Sequence, residues 1–362
     1  MLKIKFYLFS ALFLLILLNL YLKYASLWIF SIILLLILLV SNLKRIQLYY
    51  KRKKSKIRLL ILTIVICFVI LELVAGLYLP RHTPEFFRES KDPNLVYELK
   101  EGYEGYFNGL IYKIRMTNIK ISNQGLRDKE FEVRKPENTF RIVCLGDSFT
   151  FGWGVETNET FCKRIESYLN ANSSTNYETL NFGIPGYNAK QLETLLRKKI
   201  IGISPDMIIY AFSPNDLEPV IPIHNNKDSL HLFLTKNLLS YRFFFVSFYS
   251  IIDHFKEENS EVYEKKEKLK ELKSLIKYLE QLKSEKDVSI LVVILFEEGG
   301  KDAIKMINNS SFPSLNMPKE VDLSSKQYVI RGDNHPNALG HKLIFEKIIE
   351  RIEEESIIDV KK

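Results

Sequence analysis

The chain has 362 residues, and 47% of them are hydrophobic, so it is long and apolar enough to fold into one or two domains with buried cores. Its formal net charge of +8 lies at one end, because residues 1–80 carry a net of +10 and the remaining residues a net of −2. This distribution gives the folded part no basic excess of the kind that nucleic-acid binding requires.

Three apolar runs occupy the N-terminal part: Phe6–Leu22, Ser26–Val40 and Leu59–Leu79. The third run is long enough to cross a bilayer core, and the first two lie near the lower limit of about 17 residues. No small-residue cleavage site follows the first run, which disfavours a removable signal peptide. The sequence therefore predicts a membrane anchor of about three transmembrane helices over residues 1–80.

Basic residues predict the orientation of that anchor. Eight Lys and Arg residues lie between Lys44 and Arg58, in the segment that joins the second and third apolar runs. Such basic segments remain in the cytoplasm. We therefore expect the chain after about Pro80 to lie outside the cytoplasm. There, residues 81–137 are rich in Tyr, Gly and Asn with short alternating apolar stretches, which predicts a β-rich connector.

From residue 138 to residue 358, short apolar runs alternate with amphipathic segments. The predicted strands are Phe140–Leu145, Glu178–Phe182, Met207–Phe212 and Val288–Phe296. The predicted helices are Thr160–Asn170, Lys190–Lys199, Glu261–Ser284 and Pro336 to about Glu354. This alternation favours a parallel sheet that is covered by helices on both faces. The three cysteines (Cys67, Cys144 and Cys162) show no disulfide framework.

Residues able to do chemistry follow the predicted strands or precede the last helix. Ser148 stands in Gly-Asp-Ser after the first strand, NFGIPG (Asn181–Gly186) follows the second, and Asn215 follows the third in SPND. His335 lies in DNHPNALGH before the last helix. Taken alone, Gly-Asp-Ser also suits an ordinary helix N-cap. However, ligand sites gather at the carboxyl ends of parallel strands, and a nucleophile, two donors and a base are what acyl transfer needs.

In this order and spacing, GDSFTFG, NFGIPG, SPND and DNHPNALGH resemble the four blocks of the SGNH/GDSL hydrolase family, over roughly residues 138–355. The resemblance implies a flavodoxin-like three-layer α/β/α sandwich with a parallel sheet, and a hydrolase that forms an acyl-enzyme. By position, Ser148 resembles the nucleophile and His335 the general base. The implied oxyanion-hole donors are the Ser148 N–H, the Gly186 N–H and the Asn215 side-chain amide.

The last block departs from the family pattern at one position. The family usually has an aspartate three residues before the histidine, where this chain has Gly332, and Asp333 stands two residues before. Asp333 is predicted to orient His335 through a tighter turn. The alternative is a Ser-His dyad in which a backbone carbonyl orients the imidazole.

Other polar residues near these blocks are expected to be structural. Asp147 is predicted to hold its turn by local hydrogen bonds, Asp216 to cap the segment after it, and His341 to be exposed on the last helix. The sequence contains no metal-ligand spacing and no phosphate-binding glycine loop. The chain is therefore predicted to use no cofactor.

Together these observations predict a membrane-anchored serine esterase with two partners, the lipid bilayer and an ester or acylated-carbohydrate substrate, and no nucleic acid. Family and topology imply a multi-pass protein of the bacterial inner (cytoplasmic) membrane with an extracytoplasmic catalytic domain. An O-acyltransferase or deacetylase of cell-envelope polysaccharide is an alternative with the same catalytic residues. A non-catalytic binding module is another, although it would be expected to lack Ser148, Asn215 or His335, and all three are present.

One aromatic-rich stretch, residues 230–255, follows the Asn215 block and leaves two interpretations open. It is expected to form either a helix packed on the sheet or an aromatic flap on the bilayer surface beside the site. Its uninterrupted apolar part is too short for a membrane span.

Overall fold

The computed structural model describes residues 62–72, 86–109, 114–218, 269–297, 300–331 and 333–358. Residues 62–72, within the third apolar run, are helical. Among the residues described, none of the helices has the length and apolar character needed to cross a membrane. The first two apolar runs and residues 230–255 lie outside the described residues.

Residues 86–109 and the start of the next described range form two antiparallel strand pairs, as the alternating apolar stretches indicate. In the first pair, β1 (Phe87–Glu89) lies beside β2 (Tyr97–Leu99), and in the second, β3 (Glu104–Gly109) lies beside β4 (Ile114–Lys120). Neither pair is hydrogen-bonded to the main sheet.

The main sheet contains five parallel strands in the order β6-β5-β7-β8-β9. The strands are β5 (Thr139–Gly146), β6 (Asn176–Gly183), β7 (Met207–Phe212), β8 (Ser289–Ile294) and β9 (Ser314–Asn316). Counted within the sheet, this is the flavodoxin-like order 2-1-3-4-5. The order reverses between β5 and β7, so a ligand is expected in the crevice beyond the carboxyl ends of these two strands.

Helices cover both faces of this sheet. They are α1 (Ser148–Phe151), α2 (Phe161–Asn172), α3 (Ala189–Leu195), α4 (residues 269–286), α5 (Lys301–Asn308), α6 (Met317–Glu320) and α7 (Ala338–Glu354). Successive residues of a strand point to opposite faces, and in β5 Val143 and Leu145 pack on α3 and α4, whereas Ile142 packs on α2 and α7. The predicted three-layer α/β/α arrangement with a parallel sheet is confirmed.

The strand pairs β1–β2 and β3–β4 contribute to the same core as the sheet. Phe86, Tyr97 and Ile119 are buried in the cluster that also contains the α3 and α4 side of the sheet. Asp128 forms a buried ion pair with Lys163 at 2.7 Å and accepts the Asn181 N–H at 2.9 Å. Residues 86–109 and 114–131 are therefore packed and hydrogen-bonded against the α/β layers.

Several short elements of the α/β part were not predicted, among them β9 and α5. The fifth strand, β9, has three residues, which is too short to show an alternating pattern. Helix α5 has eight residues, and only Ala303 and Ile307 are buried, so its apolar stripe is narrow. The strand predicted over Val288–Phe296 is shorter than expected, because its last residues leave the sheet after Ile294.

The structure also corrects the expectation for the cysteines. Cys144 in β5 and Cys162 in α2 form a disulfide, with their Cα atoms 6.1 Å apart, and both residues are fully buried. The two positions are 18 residues apart in the chain. Only the packing of α2 on β5 brings them together, which is why their spacing gave no sign of a bond.

The expectation that His341 is exposed is wrong. Its side chain is fully buried and stacks on the ring of Phe161 at 5.9 Å between centroids. Its Nδ1 atom accepts the backbone N–H of Phe161 at 3.3 Å. This N–H belongs to the first turn of α2, where a helix has no internal acceptor, so His341 satisfies an otherwise unpaired donor.

Stability at acidic pH is expected to depend on His341. Burial, aided by the charges of Arg127 and Arg164, lowers its pKa to about 3, whereas an imidazole in the unfolded chain titrates near 6.5. Between these values the unfolded chain binds a proton that the folded chain does not. The free energy of unfolding should therefore fall with decreasing pH, by up to about 1.4 kcal/mol per pH unit from this residue.

The variant His341→Asn keeps an acceptor for the Phe161 N–H but does not titrate. The free energy of unfolding of both proteins is measured by denaturant titration between pH 7 and pH 4. The difference between the two proteins gives the contribution of His341, because the other titratable groups contribute equally to both. We expect the stability advantage of histidine over asparagine to shrink as the pH falls. Parallel curves would contradict a buried neutral His341.

Candidate active site

The candidate nucleophile lies on a turn between strand β5 and helix α1. Strand β5 ends at Gly146, and the Asp147 carboxylate then caps α1 by accepting the Phe149 N–H at 2.9 Å. Ser148 is the first residue of α1. The end of β6 approaches α1 so closely that a Cβ on Gly183 would lie 2.1 Å from the Phe151 nitrogen. Only glycine is compatible with this contact, which sets the position of the Ser148 turn.

Ser148, His335 and Asp333 form a continuous chain of hydrogen bonds. The Ser148 Oγ lies 2.8 Å from the His335 Nε2, and the His335 Nδ1 is hydrogen-bonded to the Asp333 Oδ1. His335 and Asp333 retain 20% and 11% side-chain exposure, so this end of the chain of bonds can be reached from solvent. The structure thus brings together the three residues predicted as nucleophile, base and orienting acid.

The two-residue spacing between Asp333 and His335 is possible because of a tight turn. Asn334 has a φ of 62°, in the left-handed region that asparagine tolerates better than most residues. The Asp333 and Asn334 N–H groups both donate to the Ile330 carbonyl, and the His335 carbonyl accepts the Ile330 N–H at 2.8 Å. The turn folds the Asp333 side chain back onto the imidazole.

Two backbone N–H groups at the site have no hydrogen-bond partner among the described residues: those of Ser148 and Gly186. Gly183, the other glycine of the second block, differs, because its N–H donates to the Asn181 Oδ1 at 2.9 Å. Gly186 has a φ of 79°, which glycine adopts at no steric cost. The donors assigned to Ser148 and Gly186 from the family resemblance are therefore free to bind a developing oxyanion.

The third predicted donor, the Asn215 amide, is oriented by Asp147. The Asn215 Nδ2 donates to the Asp147 Oδ2 at 2.8 Å, and the same oxygen accepts the Ser213 hydroxyl at 2.8 Å. An amide nitrogen carries two hydrogens, so one remains for a ligand. Asp147 was expected to make only local bonds, but it also joins the first and third blocks.

Two buried carboxyl groups lie behind the site. Burial raises the pKa of Asp147, although the bonds from Phe149, Ser213 and Asn215 oppose the rise. Burial and the nearby charge of Asp147 raise the pKa of Asp216 well above its usual range. Asp216 lies within the turn Pro214–Leu217 and accepts the N–H of the preceding Ser213 at 2.7 Å, whereas the segment after Glu218, which it was expected to cap, lies outside the described residues.

Aromatic rings beside His335 were not predicted as site residues. Phe149 stacks on the imidazole with centroids 4.8 Å apart, and Trp153 lies at 6.0 Å. Phe296 packs against Phe149 at 5.1 Å. The only sequence signal was the position of Phe149 within the first block and of Trp153 directly after it. These rings form an apolar wall next to the hydroxyl of Ser148.

Arg127, in the segment predicted as a connector, holds the loop that carries Trp153. Its fully buried guanidinium donates to the carbonyls of Phe151, Gly152 and Val155. Burial lowers the pKa of Arg127 to about 10, so the side chain remains charged near neutral pH. No local pattern in the sequence indicated this role, because the loop lies more than 20 residues further along the chain.

The fold and the site define an α/β protein with a Ser-His-Asp hydrogen-bond chain at the carboxyl edge of a flavodoxin-like sheet. No protein-family model matches the chain, and no curated protein does. Solved structures that are similar to it are GDSL/SGNH esterases and lipolytic proteins, the family that the four sequence blocks resemble.

Three of these structures are representative. A two-domain esterase active on acetylated mannans has 16% identity and a TM-score of 0.39, with 62% of this chain and 51% of the esterase covered. The psychrotrophic esterase EstA from Pseudoalteromonas sp. has 15% identity and a TM-score of 0.39, with 61% and 99% covered. The lipase Lip_vut3 from a goat rumen metagenome has 16% identity and a TM-score of 0.41, with 61% and 100% covered.

The chain thus spans about half the length of the two-domain esterase and nearly all of the other two. At this level of identity, the assignment of an activity rests on the geometry of the site itself.

Proposed function

We propose that the protein is a carboxylic ester hydrolase of the SGNH/GDSL type that acts through an acyl-enzyme on Ser148. The observation that carries this proposal is the 2.8 Å contact between the Ser148 Oγ and the His335 Nε2, with Asp333 on the opposite ring nitrogen. A serine hydroxyl is a weak nucleophile until a base takes its proton, and this arrangement supplies the base in reach.

Each residue then has a definite role. The His335 Nε2 takes the Ser148 proton as the Oγ attacks the ester carbonyl, and Asp333 holds the proton on the Nδ1. The negative charge on the carbonyl oxygen is stabilised by the N–H groups of Ser148 and Gly186 and by the Asn215 amide. The alcohol leaves with the proton from His335, and water releases the acyl group by the same steps in reverse order.

A fluorophosphonate probe tests the proposal, because it reacts with an activated serine and forms a stable adduct. We expect one adduct, on the peptide that contains Ser148, and we expect prior denaturation to prevent it. The protein should also hydrolyse short activated esters. A panel of acyl chain lengths and acetylated sugars would then identify the substrate class, with release of free acid indicating hydrolysis and acylation of an added sugar indicating transfer. No adduct and no ester turnover would overturn the proposal.

We further propose that the catalytic domain is held on the extracytoplasmic face of a bacterial inner membrane by residues 1–80. The three apolar runs and the basic cluster Lys44–Arg58 support this arrangement. The Cys144–Cys162 disulfide supports it independently, since disulfides persist in oxidising compartments and are rare in the cytosol. Topology reporters fused at about residue 50 and at residue 135 should give opposite signals, and cytoplasmic signals at both would contradict the proposal.

A further inference from the structure

The oxyanion donor Gly186 lies in a turn with two accessible orientations. The Tyr187 N–H donates to the Ile184 carbonyl at 3.1 Å, which closes a four-residue turn with Pro185 second and Gly186 third. A φ of 79° at Gly186 makes it a type II turn. Type I and type II turns differ in the orientation of the central peptide, here the peptide joining Pro185 to Gly186.

The local sequence does not choose between these orientations. Proline suits the second position of both turn types, and glycine adopts either sign of φ at the third. In a planar trans peptide the C=O and N–H groups point in opposite directions. A flip of this peptide would therefore turn the Gly186 N–H away from the direction that it has in the structure.

A tyrosine from strand β2 holds the peptide in the type II orientation. The Tyr97 hydroxyl donates to the Pro185 carbonyl at 2.6 Å, and this contact is buried. The hydroxyl lies directly over the turn, 2.7 Å from the position that a Cβ on Gly186 would take. A flip would leave a buried hydroxyl without an acceptor, which is unfavourable because the hydroxyl has no water to replace the lost bond.

Tyr97 is itself held firmly. Its ring packs edge-to-face against Phe87 at 5.3 Å and Tyr187 at 5.2 Å. The Tyr187 hydroxyl donates to the Tyr97 carbonyl, so the strand and the turn are bonded in both directions. Burial raises the pKa of Tyr97, so its hydroxyl remains protonated and able to donate at any working pH.

We propose that Tyr97 is a positioning residue of the oxyanion hole, an inference that rests on the proposed function. Its hydroxyl fixes and polarises the Pro185–Gly186 peptide, so that the Gly186 N–H points at the substrate carbonyl oxygen. A hydrogen bond to the carbonyl of a peptide strengthens the donor at its other end. Strand β2 is then part of the catalytic unit, although it lies outside the main sheet.

The variant Tyr97→Phe in the full chain tests this inference, because it removes the hydroxyl and keeps the ring. We expect kcat per titrated Ser148 to fall about tenfold, less than the 10²–10³-fold loss for deleting a donor outright. The KM should stay within about twofold, and the pH profile of kcat/KM should keep its shape, because His335 is not contacted.

The matched control is Thr179→Val, which loses a buried hydroxyl that donates to the Cys162 carbonyl at 3.0 Å and does not contact Tyr97 or the Pro185–Gly186 peptide. It should lower the melting temperature about as much as Tyr97→Phe and leave kcat within about twofold. Equal kcat values in the two variants would overturn the inference. It would also be overturned if the fall in kcat of Tyr97→Phe disappeared once turnover is divided by the concentration of Ser148 that the fluorophosphonate labels. Absence of both turnover and labelling in the unmodified protein would instead overturn the proposed function, and this inference with it.

Discussion

Replacement of Ser148 by alanine is expected to reduce ester turnover to background, a loss on the order of 10⁴- to 10⁶-fold. The variant lacks the oxygen that lies 2.8 Å from the His335 Nε2, and the remaining donors bind substrate without this nucleophile. Folding should be preserved, because the described structure shows one hydrogen bond from the Ser148 Oγ, to His335. Turnover of a short activated ester and the melting temperature are the two measurements.

An exposed serine on α4 provides the control. Ser284→Ala should retain full activity and full fluorophosphonate labelling, since the Ser284 hydroxyl bonds only within its own helix turn. Activity in Ser148→Ala above about one per cent of the unmodified protein, at equal folded concentration, would mean that another group is the nucleophile.

Replacement of Asp333 by asparagine is expected to lower kcat by about 10³- to 10⁴-fold, as the equivalent change does in serine proteases. An asparagine amide can donate its N–H to the His335 Nδ1, so the ring then carries its proton on the Nε2. In that tautomer the Nε2 cannot accept the Ser148 proton. The KM should change little, because Asp333 contacts the imidazole rather than the substrate.

Asp322→Asn is the matched control, because Asp322 is an acid of the same segment that only caps an exposed turn. It should leave kcat unchanged. A loss smaller than about tenfold in Asp333→Asn would favour the Ser-His dyad and would remove Asp333 from the reaction.

Much of the α/β architecture could be predicted because it is encoded locally. Strand β7 is a continuous apolar run, β5 contains the apolar run Ile142–Leu145, and the stripe of Leu272, Leu275 and Leu279 marks α4. The residues at the carboxyl ends of the strands follow from the same pattern, since a parallel sheet brings those ends to one edge. Ser148, Asn215 and His335 were therefore predictable as neighbours before their distances were known.

The fine geometry of the site was decided by contacts between segments distant in sequence. Tyr97 precedes its acceptor Pro185 by 88 residues, and Asn215 follows its partner Asp147 by 68. Neither pairing can be predicted from the residue pattern of a sequence window of ten or fifteen residues. Sequence also left open whether Asp333 reaches His335, because the answer depends on the φ of Asn334 and on the closure of its turn.

Burial likewise depended on the tertiary structure. The sequence places His341 on the last helix, but only the docking of α7 beside the start of α2 makes it a buried acceptor for Phe161. The docking of α2 onto β5 likewise joins Cys144 to Cys162. Local residue patterns determined the strands, the helices and the order of the four blocks, because propensity and periodicity act over short range. Which side chains orient, cap or cross-link one another was decided by packing, because those contacts form only when the layers come together.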